Sequence, residues 1–286
     1  MIEIKNLSFR YAAQGGLGLL RKGLGHGSKN VFTDFSVTLK ENRIYGLLGK
    51  NGTGKSTLLY LISGLLRPTA GTVTFDGVET KLRRPEMLRD IFLVPEEFDM
   101  PPVTLEAYIR MNAPFYPRFR REVLDACLSD FGMQDVSRLD RLSMGQKKKI
   151  FMSFALAAGT RLLLMDEPTN GLDIPSKAQF RRVVTGNMSD DSIVVISTHQ
   201  VHDVEQLLDH VLIASPEGML LDSAVADLCD RYTFEYRMPG SPSDDVIYAE
   251  PTLQGNAVMA RRAEGAAETQ LNLELLFNAV TQGKLK

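Results

Sequence analysis

Apolar and polar side chains alternate along two early stretches of the chain. Residues 2–11 follow this pattern, and residues 31–39 repeat it. Because successive side chains of a strand point to opposite faces, the alternation predicts two strands of an antiparallel sheet. Residues 14–29 lie between them and contain six glycines and three Lys or Arg residues. This composition predicts a flexible, mildly basic loop.

Short, mostly apolar runs follow at residues 44–48, 161–165 and 192–197. Such runs are typical of parallel strands that are buried on both faces. A helical pattern follows the first run at residues 55–65, and another separates the other two runs at residues 175–187. The pattern predicts an α/β core in which strands alternate with helices.

A helical subdomain is predicted between the strands of this core, over about residues 104–158. Pro114 and Pro117 interrupt the helical pattern after Asn112, and a second break lies near residues 137–142. We therefore expect several helices rather than one.

The pattern of apolar and polar residues is less regular near the carboxyl end. Residues 231–286 carry three prolines among polar residues, followed by a predicted helix over residues 272–281. The chain is thus predicted to divide into a main domain, residues 1–230, and a small carboxy-terminal α/β extension, residues 231–286.

Composition restricts the classes of protein. The chain has 286 residues, 44% hydrophobic and 24% charged, with a net charge of −2. These values are typical of a globular protein and give no overall attraction to nucleic acid. Cys127 and Cys229 are far apart, so we expect packing residues in a reducing cytosol. No apolar run approaches the ~20 residues of a membrane span, and the amino end lacks a signal-peptide pattern.

A phosphate-binding loop is predicted between the run at 44–48 and the helix that follows, because residues 49–56 fit the pattern G-x-x-x-x-G-K-S. Its backbone N–H groups and the helix dipole favour phosphate binding. Lys55 supplies positive charge, the Ser56 hydroxyl offers a Mg²⁺ ligand, and Thr57 is placed for a further phosphate contact. The predicted nucleotide-binding residues are Gly49, Lys50, Asn51, Gly52, Thr53, Gly54, Lys55, Ser56 and Thr57.

Two carboxylates end the apolar run at 161–165. In a phosphate-loop fold this strand end faces the nucleotide. Asp166 is predicted to hold the Mg²⁺ shell, and Glu167 is predicted to polarise the water that attacks the γ-phosphate. Alone, two such acids would be more typical of a helix-capping turn, but the nearby phosphate loop favours the catalytic interpretation.

The sequence Leu-Ser-Met-Gly-Gln at residues 142–146 resembles the signature motif of ABC ATPases, although the family usually has glycine in place of Met144. Ser143 is predicted to cap the following helix. The resemblance implies that Ser143, Gly145 and Gln146 meet the ATP held by a second copy of the chain. Taken alone, these five residues also fit a plain helix cap.

The resemblance extends over residues 1 to about 225 and implies further site residues. Asp173, in the sequence Asn-Gly-Leu-Asp, matches the loop that crosses the dimer interface. His199 matches the switch histidine that contacts the γ-phosphate. Tyr11 lies where the family has an aromatic that stacks on adenine, and it also fits the core at the end of a strand.

Glu96 marks a departure from the family, which normally has a glutamine there that contacts Mg²⁺ and the attacking water. A carboxylate still offers an oxygen to Mg²⁺, so Glu96 is a predicted metal ligand beside Ser56 and Asp166. The alternative is a solvated loop residue. The three lysines at residues 147–149 are interpreted as a solvated helix face, and no nucleic-acid partner is expected.

The fold class predicted is therefore α/β: a phosphate-loop NTPase core with an antiparallel β subdomain, a helical signature subdomain and a small carboxy-terminal extension. The resemblance implies an ATPase with ATP and Mg²⁺ as cofactors, which dimerises with a second copy and drives a separate integral membrane permease from the cytoplasmic face. The segment Pro-Phe-Tyr-Pro at 114–117 and the extension resemble exporter-type subunits. The alternatives are a soluble ABC ATPase in translation or assembly, and an ATP-gated dimerisation switch without turnover.

Overall fold

A computed structural model describes the chain except for residues 12–29, 137, 216–217, 242, 254 and 286. The glycine-rich loop predicted at residues 14–29 therefore lies outside the described residues. Among the helices that are described, none is long and apolar enough to cross a membrane.

Thirteen strands are described: β1 (Ile2–Arg10), β2 (Asn30–Leu39), β3 (Arg43–Leu48), β4 (Ala70–Phe75), β5 (Val78–Glu79), β6 (Ile91–Val94), β7 (Leu162–Asp166), β8 (Ile193–Thr198), β9 (His210–Ser215), β10 (Gly218–Ala224), β11 (Tyr232–Arg237), β12 (Val246–Thr252) and β13 (Gly255–Arg261). The α-helices of the same residues are α1 (Lys55–Ile62), α2 (Pro85–Leu88), α3 (Leu105–Asn112), α4 (Arg121–Asp130), α5 (Met144–Ala157), α6 (Ile174–Asn187), α7 (Val201–Val204), α8 (Val225–Arg231) and α9 (Leu273–Thr281).

The amino-terminal strands form the predicted antiparallel sheet, in the order β2-β1-β4-β5. Ile2 and Ile4 of β1 are buried, and Leu7 and Phe9 are buried after an irregularity between Ile4 and Leu7. Burying one face of each strand stabilises the sheet, because each Å² of apolar surface removed from water contributes about 25 cal/mol. The sequence prediction for residues 2–11 and 31–39 is confirmed.

The central sheet has the order β10-β9-β3-β8-β7-β6, and all its pairs are parallel except β10 with β9. Every residue of β7 and β8 is buried, which accounts for their continuous apolar sequences. Because β3, β8 and β7 are neighbours, the segments that follow their carboxyl ends meet at one edge of the sheet. The mixed α/β fold class is confirmed.

The predicted helical region contains α3, α4 and α5, with single 3₁₀ turns at Ala113–Phe115 and Leu139–Arg141 where the sequence predicted breaks. Phe154 is fully buried at its centre, and the rings of Tyr108 and Phe119 lie 5.2 and 5.3 Å from it. Helix α1 ends at Ile62 rather than at the predicted Leu65. Gly64 follows in a left-handed conformation, with φ of 72°, that terminates the helix.

The carboxy-terminal extension contains the antiparallel sheet β11-β13-β12 as well as the predicted helix, α9. Helix α9 packs its buried face, including Leu276 and Val280, into the same apolar cluster that contains Val204 and Leu207. Residues on both sides of position 230 therefore share one core, and the division into two domains stays a prediction.

The shared core makes a stability prediction for α9. Leu276 is fully buried, so we expect Leu276→Ala to lower the free energy of unfolding by about 2–5 kcal/mol through lost burial and the cavity left behind. Leu253→Ala is the matched control, because Leu253 is fully exposed and its loss should change the free energy by less than about 0.5 kcal/mol. Thermal and denaturant unfolding measure both, and equal effects would contradict the packing of α9.

Candidate nucleotide-binding and catalytic site

The phosphate loop lies between β3 and α1, as its sequence predicted. The Lys55 ammonium donates a hydrogen bond to the Gly49 carbonyl at 2.9 Å, so it reaches back across the loop. Burial lowers the pKa of Lys55, and the carboxylates of Glu167 and Asp166 act in the opposite direction. A buried cation inside a ring of backbone groups is suited to bind phosphate.

Two glycines of the loop cannot be replaced without a rearrangement. A Cβ at Gly49 would lie 2.5 Å from Thr53 Oγ1 and 2.9 Å from the Ala214 carbonyl. Gly54 caps the amino end of α1 in a left-handed conformation, with φ of 99°. This conformation is unfavourable for residues that have a Cβ atom. The loop therefore requires glycine at both positions for a physical reason.

Asp166 ends β7 almost fully buried. The hydroxyls of Ser197 and Ser56 hydrogen-bond to its carboxylate. Burial raises the pKa of Asp166, and these two hydrogen bonds act in the opposite direction. The contact with Ser56 joins the end of β7 to the phosphate loop, so two of the predicted metal ligands are neighbours.

Glu167 follows Asp166 in a left-handed backbone conformation, with φ of 46°. This conformation strains a residue other than glycine and is found where surrounding contacts hold it. The carboxylate accepts hydrogen bonds from the Thr198 hydroxyl at 3.0 Å and the His199 backbone N–H at 3.3 Å. His199 Nδ1 lies 2.8 Å from the other carboxylate oxygen. The two predicted catalytic residues are thus in direct contact.

One open cavity of about 440 Å³ brings most of the predicted residues together. Tyr11 lies at its rim, half exposed, with its hydroxyl 3.0 Å from Thr57 Oγ1 and its ring packed edge-on against Phe9. An exposed ring face beside the phosphate loop is compatible with the predicted stacking on adenine. The lining residues are Tyr11, Val31, Asn51, Gly52, Gly54, Lys55, Ser56, Thr57, Glu96, Glu167 and His199.

The predicted metal ligands fit Mg²⁺ by their chemistry. Ser56, Asp166 and Glu96 offer only oxygen donors, which Mg²⁺ prefers. Glu96 is half buried, and its carboxylate accepts a hydrogen bond from Asn170 Nδ2 at 3.0 Å. No group of three or more His, Cys, Asp or Glu that could hold a metal occurs in the described part of the chain. Mg²⁺ usually keeps several waters and binds phosphate oxygens alongside one or two carboxylates.

The signature residues lie outside this cavity. Ser143 caps α5 as predicted: its hydroxyl accepts from the Gln146 backbone N–H at 3.3 Å, and Gln146 Oε1 accepts from the Ser143 N–H at 3.0 Å. A Cβ at Gly145 would lie 3.1 Å from the Gly171 carbonyl, so the start of α5 closely contacts the loop before α6. Their contact with ATP of a second copy stays a prediction.

Asp173 has a local role that the sequence analysis did not include. Its carboxylate caps α6 and accepts a hydrogen bond from the Ser176 backbone N–H at 2.9 Å. Hydrogen bonds from Ser176 lower the pKa of Asp173. The residue does not line the nucleotide cavity, and its role at a dimer interface stays a prediction.

The interpretation of residues 147–149 as a solvated face is wrong for Lys148, which is 3% exposed. Its ammonium donates to the carbonyls of Glu167 at 3.1 Å and Asn170 at 2.8 Å. The sequence did not reveal this role, because three consecutive lysines have the same charge and the charge pattern does not distinguish a buried lysine from an exposed one. An inward helix position, four residues before the buried Met152, was the available signal.

The carboxy-terminal extension reaches the site from its other flank. A second cavity of about 330 Å³ lies between Lys50 and Asn51 of the phosphate loop, His199, and Phe277 and Asn278 of α9. The contact continues into α7, where His202 Nε2 lies 2.7 Å from Glu274. Sequence reasoning did not predict that α9 packs beside the phosphate loop.

These features define a phosphate-loop nucleotide-binding protein with paired acids and a histidine at the phosphate end. Residues 32–170 match the family model described as "ABC transporter". The bacitracin transport ATP-binding protein BcrA of Bacillus licheniformis is 31% identical over 215 residues, 74% of this chain and 70% of that protein. The methionine import ATP-binding protein MetN of Carboxydothermus hydrogenoformans is 30% identical, over 80% of this chain and 67% of that protein. The chain belongs to the family of ABC transporter ATP-binding proteins and is an ABC ATPase.

A solved dimeric structure of a bacterial ABC transporter cassette has the same fold. Its TM-score is 0.65 at 22% identity, over 78% of this chain and 98% of that one. At this identity the likeness concerns the fold, and the roles of individual residues rest on the geometry above.

The contact of Lys55 with the loop carbonyl makes a binding prediction. Lys55→Met removes the buried charge that would meet the phosphates, and hydrogen bonds to charged groups contribute about 1.5–3 kcal/mol. We therefore expect the Kd for ATP to rise at least about tenfold, measured by isothermal titration. Lys40→Met is the control, because Lys40 is exposed and lies outside the phosphate loop. An equal loss of affinity in both variants would contradict the role of Lys55.

Proposed function

We propose that this chain is the ATP-hydrolysing motor of an ABC transporter, with Glu167 as the general base. The observation that carries this proposal is the direct contact of Glu167 with His199 inside the cavity formed by the phosphate loop. A carboxylate held by the Thr198 hydroxyl and the His199 ring is fixed in orientation, so it can accept a proton from a water placed against the γ-phosphate.

Each residue around Glu167 has a separate part in this proposal. Lys55 and the loop N–H groups hold the phosphates, and Tyr11 stacks on the base. Ser56, Asp166 and Glu96 hold Mg²⁺, which neutralises phosphate charge when bound. His199 orients the Glu167 carboxylate and contacts the γ-phosphate. Because the site excludes bulk water only in part, closure must come from another surface.

We propose that this surface is a second copy of the chain. Ser143, Gly145 and Gln146 lie at the amino end of α5, where the helix dipole favours an anion. They do not line the cavity of their own chain, which is expected if they complete the site of a partner. Asp173 lies in the loop that Gly145 contacts. ATP would thus bind between two copies and hold them together.

We propose a separate membrane permease as the further partner, with the chain on the cytoplasmic face of the membrane. A groove of about 400 Å³ supports this, because Leu65 and Phe115 line it while 55% and 70% exposed. Arg83 and Arg89 lie at the same groove. Exposed apolar side chains of this size mark interaction surfaces. We propose export as the direction, based on the resemblance of residues 114–117 to exporter-type subunits.

The catalytic assignment is tested with Glu167→Gln. The amide keeps the shape of the side chain and cannot accept the proton, so we expect the steady-state rate of ATP hydrolysis to fall at least about 100-fold. ATP binding should persist, and the variant should accumulate as an ATP-bound dimer in light scattering. Glu97→Gln is the matched control, since Glu97 is an exposed neighbour of Glu96. Retained ATP hydrolysis in Glu167→Gln would contradict the assignment of Glu167 as the general base.

The docking groove makes a separate prediction. Phe115→Asp places a charge in the apolar groove and should release the chain from the membrane fraction of its own cells, while the ATPase rate of the purified chain stays within about threefold. Leu253→Asp is the control, because Leu253 is an exposed apolar residue outside the groove. If Phe115→Asp stays at the membrane, the groove is not the permease site. If the wild-type chain itself is absent from the membrane, a soluble ABC ATPase is favoured.

A further inference from the structure

Lys148 is a buried cation beside the catalytic turn. It lies in the second turn of α5, where its side chain is buried and contacts the loop that follows β7. Burial lowers the pKa of Lys148, and the nearby carboxylates of Glu96 and Glu167 act in the opposite direction. A buried lysine is costly unless its hydrogen bonds and charge are matched, so its partners indicate its role.

The hydrogen-bonding partners of Lys148 are the two ends of one turn. Its ammonium donates to the carbonyls of Glu167 and Asn170, and the Asn170 N–H donates to the Glu167 carbonyl at 3.2 Å. Glu167 is the residue with the strained, left-handed backbone. Strain of this kind persists only where neighbours hold the backbone in place. Lys148 is such a neighbour, because it bridges the turn from outside.

Glu96 belongs to the same hydrogen-bonded network as Lys148. Asn170 joins the two, since it donates from Nδ2 to Glu96 Oε1 at 3.0 Å and accepts from Lys148 at its carbonyl. Glu96, Lys148 and Asn170 also line one cavity of about 600 Å³ on this side of the loop. Glu96 is the carboxylate that stands where ABC ATPases normally have an uncharged glutamine. It adds a negative charge near Asp166 and Glu167, and Lys148 supplies an opposite charge within the same network.

We propose that Lys148 is a positioning residue for hydrolysis: it holds the Glu167–Asn170 turn by two hydrogen bonds and offsets the charge of Glu96. This inference rests on the proposed function, because it assigns Lys148 to the catalytic turn of an ATPase. Lys148 acts through the backbone of Glu167 and through Asn170, and not on the nucleotide.

The hydrogen bonds are tested without nucleotide. Lys148→Met keeps the apolar stem and removes the donors, so amide exchange over residues 165–172 of the nucleotide-free protein should become about tenfold faster. Lys149→Met is the matched control, because Lys149 is a half-buried neighbour on α5 outside the described contacts to this turn. Its exchange rates should stay within about twofold of the wild type. Unchanged exchange in Lys148→Met would overturn the positioning role.

The charge offset is tested with Lys148→Gln, whose amide still donates hydrogen bonds but is neutral. With Glu96 present, kcat for ATP hydrolysis should fall about tenfold, while the KM for ATP stays within about threefold. In the Glu96→Gln background the same substitution should lower kcat less than about threefold, because the charge to be offset is gone. Lys149→Gln should leave kcat within about threefold of wild type in both backgrounds.

Glutamine at position 96 still offers an amide oxygen to Mg²⁺. Equal losses in both backgrounds would overturn the charge offset, and so would an inactive Glu96→Gln protein, because the charge of Glu96 would then be needed at the metal rather than offset by Lys148. If the wild-type chain neither binds nor hydrolyses ATP, the proposed function fails. The exchange experiment still decides whether Lys148 holds the turn in that case.

Discussion

The turn that follows β7 is the constraint on which the site depends. Glu167 has a backbone conformation that is unfavourable for its residue type, and contacts from two sides hold it there. Thr198 and His199, at the end of β8, fix its carboxylate, and Lys148, from α5, binds its carbonyl. The strain is sustained because β7 and β8 are neighbouring, fully buried parallel strands, so their ends cannot separate without exposing the core.

The same sheet edge explains why residues far apart in sequence form one cavity. The phosphate loop follows β3, Asp166 and Glu167 lie at the end of β7, and His199 follows β8. Parallel strands with helical connections place their carboxyl ends together, which is where ligands bind in open α/β sheets. The amino-terminal sheet contributes Tyr11 at the rim. Helix α9 lies beside the other flank of the phosphate loop, so the carboxy-terminal extension contacts the edge of the sheet that carries this loop.

Sequence reasoning predicted the elements that carry strong local patterns. The alternation in β1 and β2, the apolar runs of β7 and β8, and the phosphate loop each have a pattern set by backbone geometry, and each was located within a few residues. The strands of the extension were not located, because β12 is only partly buried and its sequence lacks clear alternation. The packing of α9 beside the phosphate loop is a long-range contact that no local pattern reports.

Within the site, the chemistry of single residues was easier to predict than their partners. Glu167 and His199 were identified separately, and their 2.8 Å contact follows only from the order of strands. Lys148 was assigned to solvent because its neighbours in sequence are also lysines, while the hydrogen-bonding groups that draw it inward belong to residues 167 and 170. Buried polar groups are matched in three dimensions, so the sequence around one member does not reveal the other.

We propose that two copies of the chain form each hydrolytic site. The most direct test measures the ATPase rate per molecule at increasing protein concentration, with the fraction of dimer followed by light scattering in the same samples. If the site is shared between two copies, the specific rate rises with the dimer fraction and approaches zero where the chain is monomeric. A specific rate that stays constant from the monomeric to the dimeric range would contradict it, because one copy would then contain a complete site.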